Sequence, residues 1–405
     1  MQQLSSSHLP AWSSKATPPA LKRHNAQLIL RLLREHGSLS RAELARRTHL
    51  SRPAISDIVR GLIDEGLIEE IGMGSSQGGK RPTLIGLRAD ARQIIGVDLG
   101  AGAITGLRAD LHARVLSQAQ AASAADYPDS LDSLFAVVDN LMAEGEGSPL
   151  GIGIATPGLI DTVAGTVVFA ANLGWRQVPL ARILRERYKL PIYIDNDTHL
   201  AALGEFHFGA GQGSSPLAVV RVGTGIGAGL ILNGQIYSGA NGWSGEIGHL
   251  AVVEHGERCV CGRRGCLETV ASVSAIVAQA RRLAAREPGS ILGRLAAESE
   301  LDISSVQRAV ERGDSAALAL IRSAGFYLGV ALASLVHIFN PRRIVLAGSV
   351  IRCGTPFFAA VREGLDSSAL QAIAAATEIA PATLGERAGM MGAVALVLNR
   401  ELGIF

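Results

Sequence analysis

Cysteine is scarce in this 405-residue chain: there are four, and three of them crowd between positions 259 and 266. Four thiols with a Cys-x-Cys spacing make a poor disulfide framework, which excludes a small disulfide-stapled secreted fold and suits a metal in a reducing compartment better. Net charge is also nearly absent, at +2. Long apolar runs are missing: no eighteen consecutive apolar residues occur, and residues 1–20 are Ser/Pro-rich and polar, with no apolar segment after a basic start. These absences argue against a membrane span and a secretory signal. The expectation is a cytoplasmic protein, off the membrane, with a disordered leader over residues 1–20. What is present is apolar bulk, 48% of residues, and a length that allows two or three domains with sizeable cores.

The small net charge hides an asymmetry. Residues 1–90 carry thirteen Lys/Arg against eight Asp/Glu, and the remainder 25 against 28. A basic N-terminal unit on a mildly acidic body hints at nucleic acid. Leu28, Ile29, Leu32 and Leu33 form one helix face, ended at His36-Gly37. Ser40-Arg-Ala-Glu43 reads as a capping box, in which serine and glutamate satisfy each other's orphan amides. Its short helix runs to about Thr48. Ser51-Arg52-Pro53 opens a third helix, with Ser51 as N-cap and proline tolerated in the first turn. Ala54, Ile55, Ile58, Val59 and Leu62 face its core; Arg52, Ser56, Asp57 and Arg60 lie opposite. Two short helices joined by Thr48-His49-Leu50 predict a helix-turn-helix with the last helix as reader. The strand at 67–68 and the segment Gly78-Gly79-Lys80-Arg81-Pro82 predict a winged hairpin with two cations on a narrow backbone, suited to a minor groove. Domain boundaries are placed at 21–90 and 91–405. Arg41, Arg52 and Lys80 are candidate phosphate contacts; Arg52, Ser56 and Arg60 are candidate base readers; Ser51 and Arg81 complete the expected DNA-binding set.

From Gln93 the pattern turns to short strands, glycine turns and helices. The stretch Ile94-Ile-Gly-Val-Asp98-Leu-Gly100-Ala-Gly102 is repeated at an offset of 123 residues by Val219-Val-Arg-Val-Gly223-Thr-Gly225-Ile-Gly227. Gly100, Gly102, Gly106 and Leu107 recur as Gly223, Gly225, Gly229 and Leu230. The duplication predicts two similar α/β lobes flanking a cleft. Glycines at such bends let backbone amides approach phosphates. Ile192-Tyr-Ile-Asp195-Asn196-Asp197 reads as a buried strand ending in polar residues, well placed for chemistry beside a cleft, with a helix from Thr198 to about Phe208. Residues 155–161 and 344–349 read as further strand ends.

Cys259, Cys261 and Cys266 supply three soft ligands, and Cys-x-Cys-Gly-x-x-Gly-Cys has turn glycines that aim the thiols inward. His249 is the best fourth ligand and His255 the competitor. Cys353 is isolated and reads as an inert core residue. With no open coordination position evident, the expected zinc is structural.

These residues resemble the ROK family, named for repressors, open reading frames and kinases. Glu246-Ile-Gly-His249, the unbroken 259–268 cysteine signature, Asn196-Asp197, Thr156-Pro157-Gly158 and Gly223-Thr-Gly-Ile-Gly227 carry the resemblance in the family's order, over residues 22 to about 400. It implies a winged helix-turn-helix followed by a two-lobed actin-like (ribonuclease H-like) sugar-kinase fold, with zinc on His249, Cys259, Cys261 and Cys266. It also implies that Asn196, Asp197, Glu246, His249 and Glu268 bind sugar hydroxyls, with Asn172 a weaker contact. In a kinase, Asp197 would be the catalytic base. Asp195 fits a solvated loop as well as a site.

The chain departs from the kinase branch in its first hairpin, where Asp-x-Gly-x-Thr and a following cation become Asp98-Leu-Gly100-Ala101-Gly102-Ala103. Asp98, Gly100, Gly223, Thr224, Gly225 and Gly348 therefore read as a degenerate nucleotide site, since phosphoryl transfer depends on charge stabilisation that these residues lack. Thr198-His199 replaces the family's usual Ala-Asn. The reading favoured is a DNA-binding regulator, most often a repressor, answering to a sugar or sugar phosphate and working as a homodimer or homotetramer on operator DNA. An ATP- and Mg-dependent sugar kinase with a regulatory head is the alternative. A zinc hydrolase is disfavoured because all four zinc positions are filled.

Overall fold

The computed structural model describes residues 17–75, 81–100, 102–123, 129–145 and 147–405. Most of the expected leader lies outside that range, but its end does not: a helix already begins at Pro18. Backbone proximity divides the chain into one unit of residues 1–92 with the tail Leu398–Phe405, and a second of Gln93–Val397. The body expected to run unbroken to residue 405 therefore gives up its last eight residues. Ile404 is buried there, Arg31 donates to the Phe405 carbonyl at 2.9 Å, and the Arg34 guanidinium stacks 3.6 Å over the Phe405 ring.

In the first unit α1 (Pro18–His36) ends at Gly37, whose φ of +73° suits a residue without a Cβ. A short β1 (Ser38–Ser40), unforeseen in the sequence, leads into α2 (Arg41–Thr48), and the capping box is present: the Glu43 amide donates to Ser40 Oγ and the Ser40 amide to Glu43 Oε2. His49 takes the left-handed conformation at φ +59°, the bend of the helix-turn-helix. Helix α3 (Arg52–Asp64) starts on the Ser51 cap and buries Ile55, Ile58, Val59 and Leu62; Ala54, expected among them, is half-buried. Strands β2 (Ile68–Met73) and β3 (Thr83–Leu87) form the antiparallel wing, and β1 pairs on the outer side of β3. Gly78, Gly79 and Lys80 lie outside the described residues.

The second unit contains the duplication. Strands β4 (Ile94–Leu99), β5 (Ala103–Ala109) and β6 (Val115–Ala122) are followed by α4 (Asp129–Ala143) and β7 (Ile152–Thr156). A small antiparallel sheet, β8 (Leu159–Asp161), β9 (Thr166–Ala170) and β10 (Trp175–Val178), intervenes before α5 (Leu180–Tyr188), β11 (Ile192–Asn196) and α6 (Asp197–Phe208). The second half has β12 (Leu217–Val222), β13 (Ile226–Leu232) and β14 (Gln235–Ile236), then the helices α7 (Glu268–Ala271), α8 (Val273–Arg286), α9 (Ile291–Glu298), α10 (Ile303–Glu311) and α11 (Ser315–Phe339). Strand β15 (Arg343–Ala347), α12 (Thr355–Ser368), α13 (Gln371–Ala376), β16 (Glu378–Pro381) and α14 (Ala388–Leu402) complete it, the residues of α14 from Leu398 on counting with the first unit.

The two five-stranded sheets run β6-β5-β4-β7-β11 and β14-β13-β12-β15-β16, each an antiparallel meander on one side and two parallel strands on the other. The first hairpin's strand ends recur in the second at the 123-residue offset, while the register tightens by one residue: Leu99 faces Ile104 but Val222 faces Ile226. Each sheet has its own buried core, and α6 packs on both sheets. Helix α11 is long and apolar enough to cross a membrane by length and composition, but it includes Arg322 and buries Leu320, Ile321, Leu328 and Leu332 in the second core.

Candidate functional site

Strand β11 delivers three polar residues to the start of α6 because the strand's apolar alternation stops where helix capping begins. Asn196 caps α6: its Oδ1 accepts from the Thr198 and His199 amides at 2.8 and 3.2 Å, and its Nδ2 donates to the Gly158 carbonyl at 3.0 Å. Asp197 follows in the first helical turn. Its Oδ2 receives Arg221 Nη1, and its Oδ1 accepts from the Thr198 hydroxyl at 3.4 Å. Arg221 projects from β12 of the opposite lobe, so this ion pair ties the two halves together. Asp98, at the end of β4, is buried beside them. Desolvation pushes its carboxyl up to about 7, with Arg221 opposing and Asp197 adding to the rise. The Arg221 guanidinium is raised, first by Asp197 and then, against its own burial, by Asp98.

Asp195 is not the solvated residue that the sequence allowed. It is 7% exposed and pairs with His199 Nδ1 at 3.0 Å. Sequence reasoning also missed Arg221, since an arginine in a β-strand carries no signal of which distant carboxylate it meets.

Residues 237–268 build the other wall. Gly245 turns the chain at φ +87°, where a Cβ would strike the Ala228 carbonyl; the next residue is Glu246. Ile247–His249 form a single 3-10 turn. His249 Nε2 lies 3.9 Å from Glu246 Oε2, and its Nδ1 lies 3.7 Å from Glu268 Oε2 and 3.6 Å from Cys259 Sγ. Glu268 also accepts the Ile226 amide at 2.9 Å, which anchors the second glycine turn to the same wall. Asn172 is exposed in the 3-10 turn Ala171–Leu173.

One ligand atom from each of His249, Cys259, Cys261 and Cys266 lies within 4.8 Å of all the others. Three thiols and an imidazole converging so closely form a donor set that fits a metal ion. A tight turn closes the set: the Cys259 amide donates to the Arg263 carbonyl and the Gly262 amide to the Cys259 carbonyl. Burial pushes the Cys266 thiol up to about 12, whereas hydrogen bonds from Arg263 draw exposed Cys261 down to about 6; a bound cation would favour thiolate at both. His255, the competing ligand, points away, 92% exposed beside Glu254. Cys353 is buried and not a member of the cluster, and burial pushes its thiol up to about 11.

The expected nucleotide residues fall on three strand ends. Gly100 follows β4, Gly223-Thr224-Gly225 connect β12 to β13, and Gly348 follows β15 at φ +98°, packed against the Val222 carbonyl. The middle turn is already bonded internally: the Gly223 amide donates to Gly225 O at 2.9 Å, and the Gly223 carbonyl accepts from Val273.

In the winged unit, Arg52 is exposed in the first turn of α3, Arg60 is exposed one face along, and Ser56 turns its hydroxyl back onto the Arg52 carbonyl. Arg60 faces Asp57 at 3.5 Å, and Arg41 is engaged by Glu70 of β2 at 3.1 Å. Ser51 is spent on its cap. Arg81 is exposed. Arg46 and Arg47, exposed on α2 and absent from the expected set, add to the positive charge of this unit.

Residues 94–400 match the family model described as "ROK family", and residues 23–69 the one described as "Winged helix-turn-helix DNA-binding". The chain is 30% identical over 386 residues to the xylose repressor of Bacillus subtilis, covering 94% of this chain and 97% of that one. It is 31% identical to the DNA-binding transcriptional dual regulator NagC of Escherichia coli, covering 94% of each. A crystal structure described as a ROK family transcriptional regulator, homolog of the E. coli MLC protein, superposes with a TM-score of 0.85 at 27% identity, over 95% of this chain and 98% of that one. With its duplicated sheets, its cysteine signature and a match over most of its length, this chain belongs to the ROK family and carries a winged helix-turn-helix ahead of the family's domain.

Proposed function

We propose that this protein is a transcriptional repressor whose affinity for operator DNA is set by a sugar, or a sugar phosphate, held in the cleft of its body. The first hairpin carries the reading: Gly102 and Ala103 offer neither hydroxyl nor cation to a nucleotide, and phosphoryl transfer depends on charge stabilisation of the moving group. Asp197 pairs with Arg221, and each of its oxygens keeps a lone pair beyond the bonds from Arg221 and Thr198, so the carboxylate can accept a sugar hydroxyl. The similarity to relatives named xylose repressor and NagC supports the same role.

Asn196, Asp197, Glu246, His249 and Glu268 would hold the sugar, since carboxylates and amides at fixed positions discriminate hydroxyl stereochemistry. The donor set favours zinc, in a structural site with all four positions filled by protein. Ligation through Nδ1, the nitrogen facing Cys259, leaves Nε2 on the Glu246 side for the ligand. Three thiolates imply a reducing compartment, consistent with the cytoplasm. The winged unit would place α3 in a major groove, and paired half-sites call for at least a dimer. The sugar must bind the DNA-competent and DNA-released states unequally for any switch to result.

Thermal shifts with xylose, glucose, N-acetylglucosamine and their phosphates, with and without ATP, test this reading. We expect stabilisation by at least one sugar without nucleotide, and release of an operator selected from random DNA. Asp197→Ala should abolish that release while leaving operator affinity intact; sugar-driven release by the variant would overturn the site. The second reading, a kinase fused to a DNA-binding head, is favoured by retention of Asp197 and the 223–227 turn. Transfer of phosphate from ATP to a sugar would establish it.

On the DNA side, Arg52→Ala should weaken operator binding by about 1–3 kcal/mol if the guanidinium reads a base, and leave sugar affinity unchanged. Fluorescence anisotropy against operator and calorimetry against sugar separate the two. Unaltered anisotropy would remove Arg52 from the interface.

A further inference from the structure

His199 is 1% exposed, and both of its ring nitrogens face acceptors. Nδ1 lies 3.0 Å from Asp195 Oδ1 and Nε2 3.1 Å from the Ser244 carbonyl oxygen. The Ser244 hydroxyl, 3.4 Å from Nε2, donates its proton to the Tyr237 carbonyl, so towards the ring it can only accept. A neutral imidazole has a single N–H. Two acceptors on opposite nitrogens require two protons, so the geometry calls for an imidazolium.

That cation joins two segments far apart in sequence. On one side Asp195, which also accepts the Asn196 amide at 2.7 Å, belongs to the strand end that leads to Asp197. On the other, Ser244 belongs to the segment that returns through Gly245 to Glu246. Backbone bonds also hold this segment: its first residue to β13 through the Tyr237 amide on Leu230 O, its last turn through the Ala228 amide on Gly245 O, and itself through the Ser244 amide on Ser238 O. Its exposed Tyr237 and Trp243 show that little apolar burial fixes it.

We propose that His199, as an imidazolium, is a positioning residue that clamps the 237–246 segment to the Asp195–Asp197 strand end, so that Glu246 faces Asp197 and the sugar-recognition wall forms only while His199 is protonated. This rests on the reading of the cleft as the sugar site. The groups whose charge reaches the ring are Asp195 on β11, Asp197 on α6 and Glu246 beyond Ser244, all acidic. Burial lowers the ring's affinity for its proton, but the Asp195 hydrogen bond and charge, with the Ser244 carbonyl and Asp197, outweigh it and hold the group above its ordinary value. A raised folded value has a definite sign. The clamp contributes fully below the unfolded-state value of about 6.5, and is lost as pH rises through the higher folded value.

The decisive experiment uses the full-length protein. Nitrogen-15 spectra of the histidine rings, with His199 assigned from the His199→Asn variant, should show both nitrogens protonated at neutral pH. Hydrogen exchange of amides 237–246, corrected for intrinsic rates, should show protection that falls as His199 titrates. The variant should lack that pH dependence. Calorimetry with xylose, glucose and N-acetylglucosamine should show affinity falling roughly tenfold for each pH unit through the titration, with a flat, weaker profile in His199→Asn. Asp195→Asn should lower the His199 titration and carry the exchange profile with it. A neutral His199 at pH 7, protection indifferent to pH, or sugar affinity unchanged while protection falls would each overturn the proposal. If none of the three sugars binds the wild type, the effector reading is what fails, and the exchange profile still decides the clamp.

Discussion

Cys266→Ser is expected to strip the protein of bound metal, to destabilise the body by more than about 4 kcal/mol, in the range that loss of a metal site reaches, and to abolish the sugar response while DNA binding survives. Between Ile236 and Glu268 the described backbone has no strand or helix beyond the 3-10 turn Ile247–His249, only the isolated bridges Ala251–Cys266 and Arg258–Arg264. Val260 is 94% exposed, so apolar burial does not order the cysteine turn. Four ligand atoms within 4.8 Å do, once a cation is among them. In isolated zinc-finger peptides such ligation contributes roughly 10–16 kcal/mol. Less is expected here, because Glu268 begins α7 and is separately bonded to the Ile226 amide. The winged unit has its own core, with Ile29, Leu33, Leu44, Ile55 and Val59 buried, which is why its DNA affinity should persist. Metal content, thermal unfolding and operator binding of wild type, Cys266→Ser and chelator-treated protein check this, with zinc restoring the treated sample. A variant that keeps one metal per chain, or unfolds with the wild type, would remove the cluster from the account.

The elements that were legible in the sequence are those written in local chemistry. The Ser40–Glu43 box, the Ser51 cap and the turn at Thr48-His49-Leu50 each lie within a few residues of their partners, and the glycine repeat at 123 residues located both hairpins, though the second strand begins at Leu217, two residues ahead of the Val219 start of the repeat. The one-residue tightening of the second hairpin escaped notice because register depends on which carbonyl the turn closes on, here Gly225. The cysteine spacing placed three ligands, and geometry decided between His249 and His255. What could not be read were charges whose partners lie on other elements: Arg221 with Asp197, 24 residues apart, and Ser244 with His199, 45 apart. The return of Ile404 and Phe405 to the winged unit is similar, since a short apolar tail does not specify where it packs.

Glu205→Ala is expected to be the most damaging substitution outside the metal centre, because this carboxylate is a hub that the sequence conceals within a helix. Glu205 is 0% exposed on α6. It accepts from the Ala210 amide at 2.8 Å, the Thr383 amide at 3.1 Å and the Leu384 amide at 2.8 Å, with the Thr383 hydroxyl at 3.4 Å. It therefore closes the end of its own helix and ties it to a segment nearly 180 residues on. Truncation leaves three backbone donors without an acceptor, at about 1–3 kcal/mol each, so a loss of roughly 4 kcal/mol or more is expected even if water enters. Glu205→Gln retains one carbonyl oxygen but turns an amide donor towards N–H groups, and should cost about half as much. Because α6 begins at Asp197, a shifted helix also moves the sugar contacts: the alanine variant should lose sugar affinity and keep operator affinity. Urea unfolding followed by tryptophan fluorescence, to which Trp175, buried in the first lobe, contributes, ranks the variants. Wild type above glutamine above alanine identifies lost acceptors as the cause. Equal losses for both variants would point to charge alone, and an alanine variant within about 1 kcal/mol of wild type would show that α6 is held by its apolar packing and not by this hub.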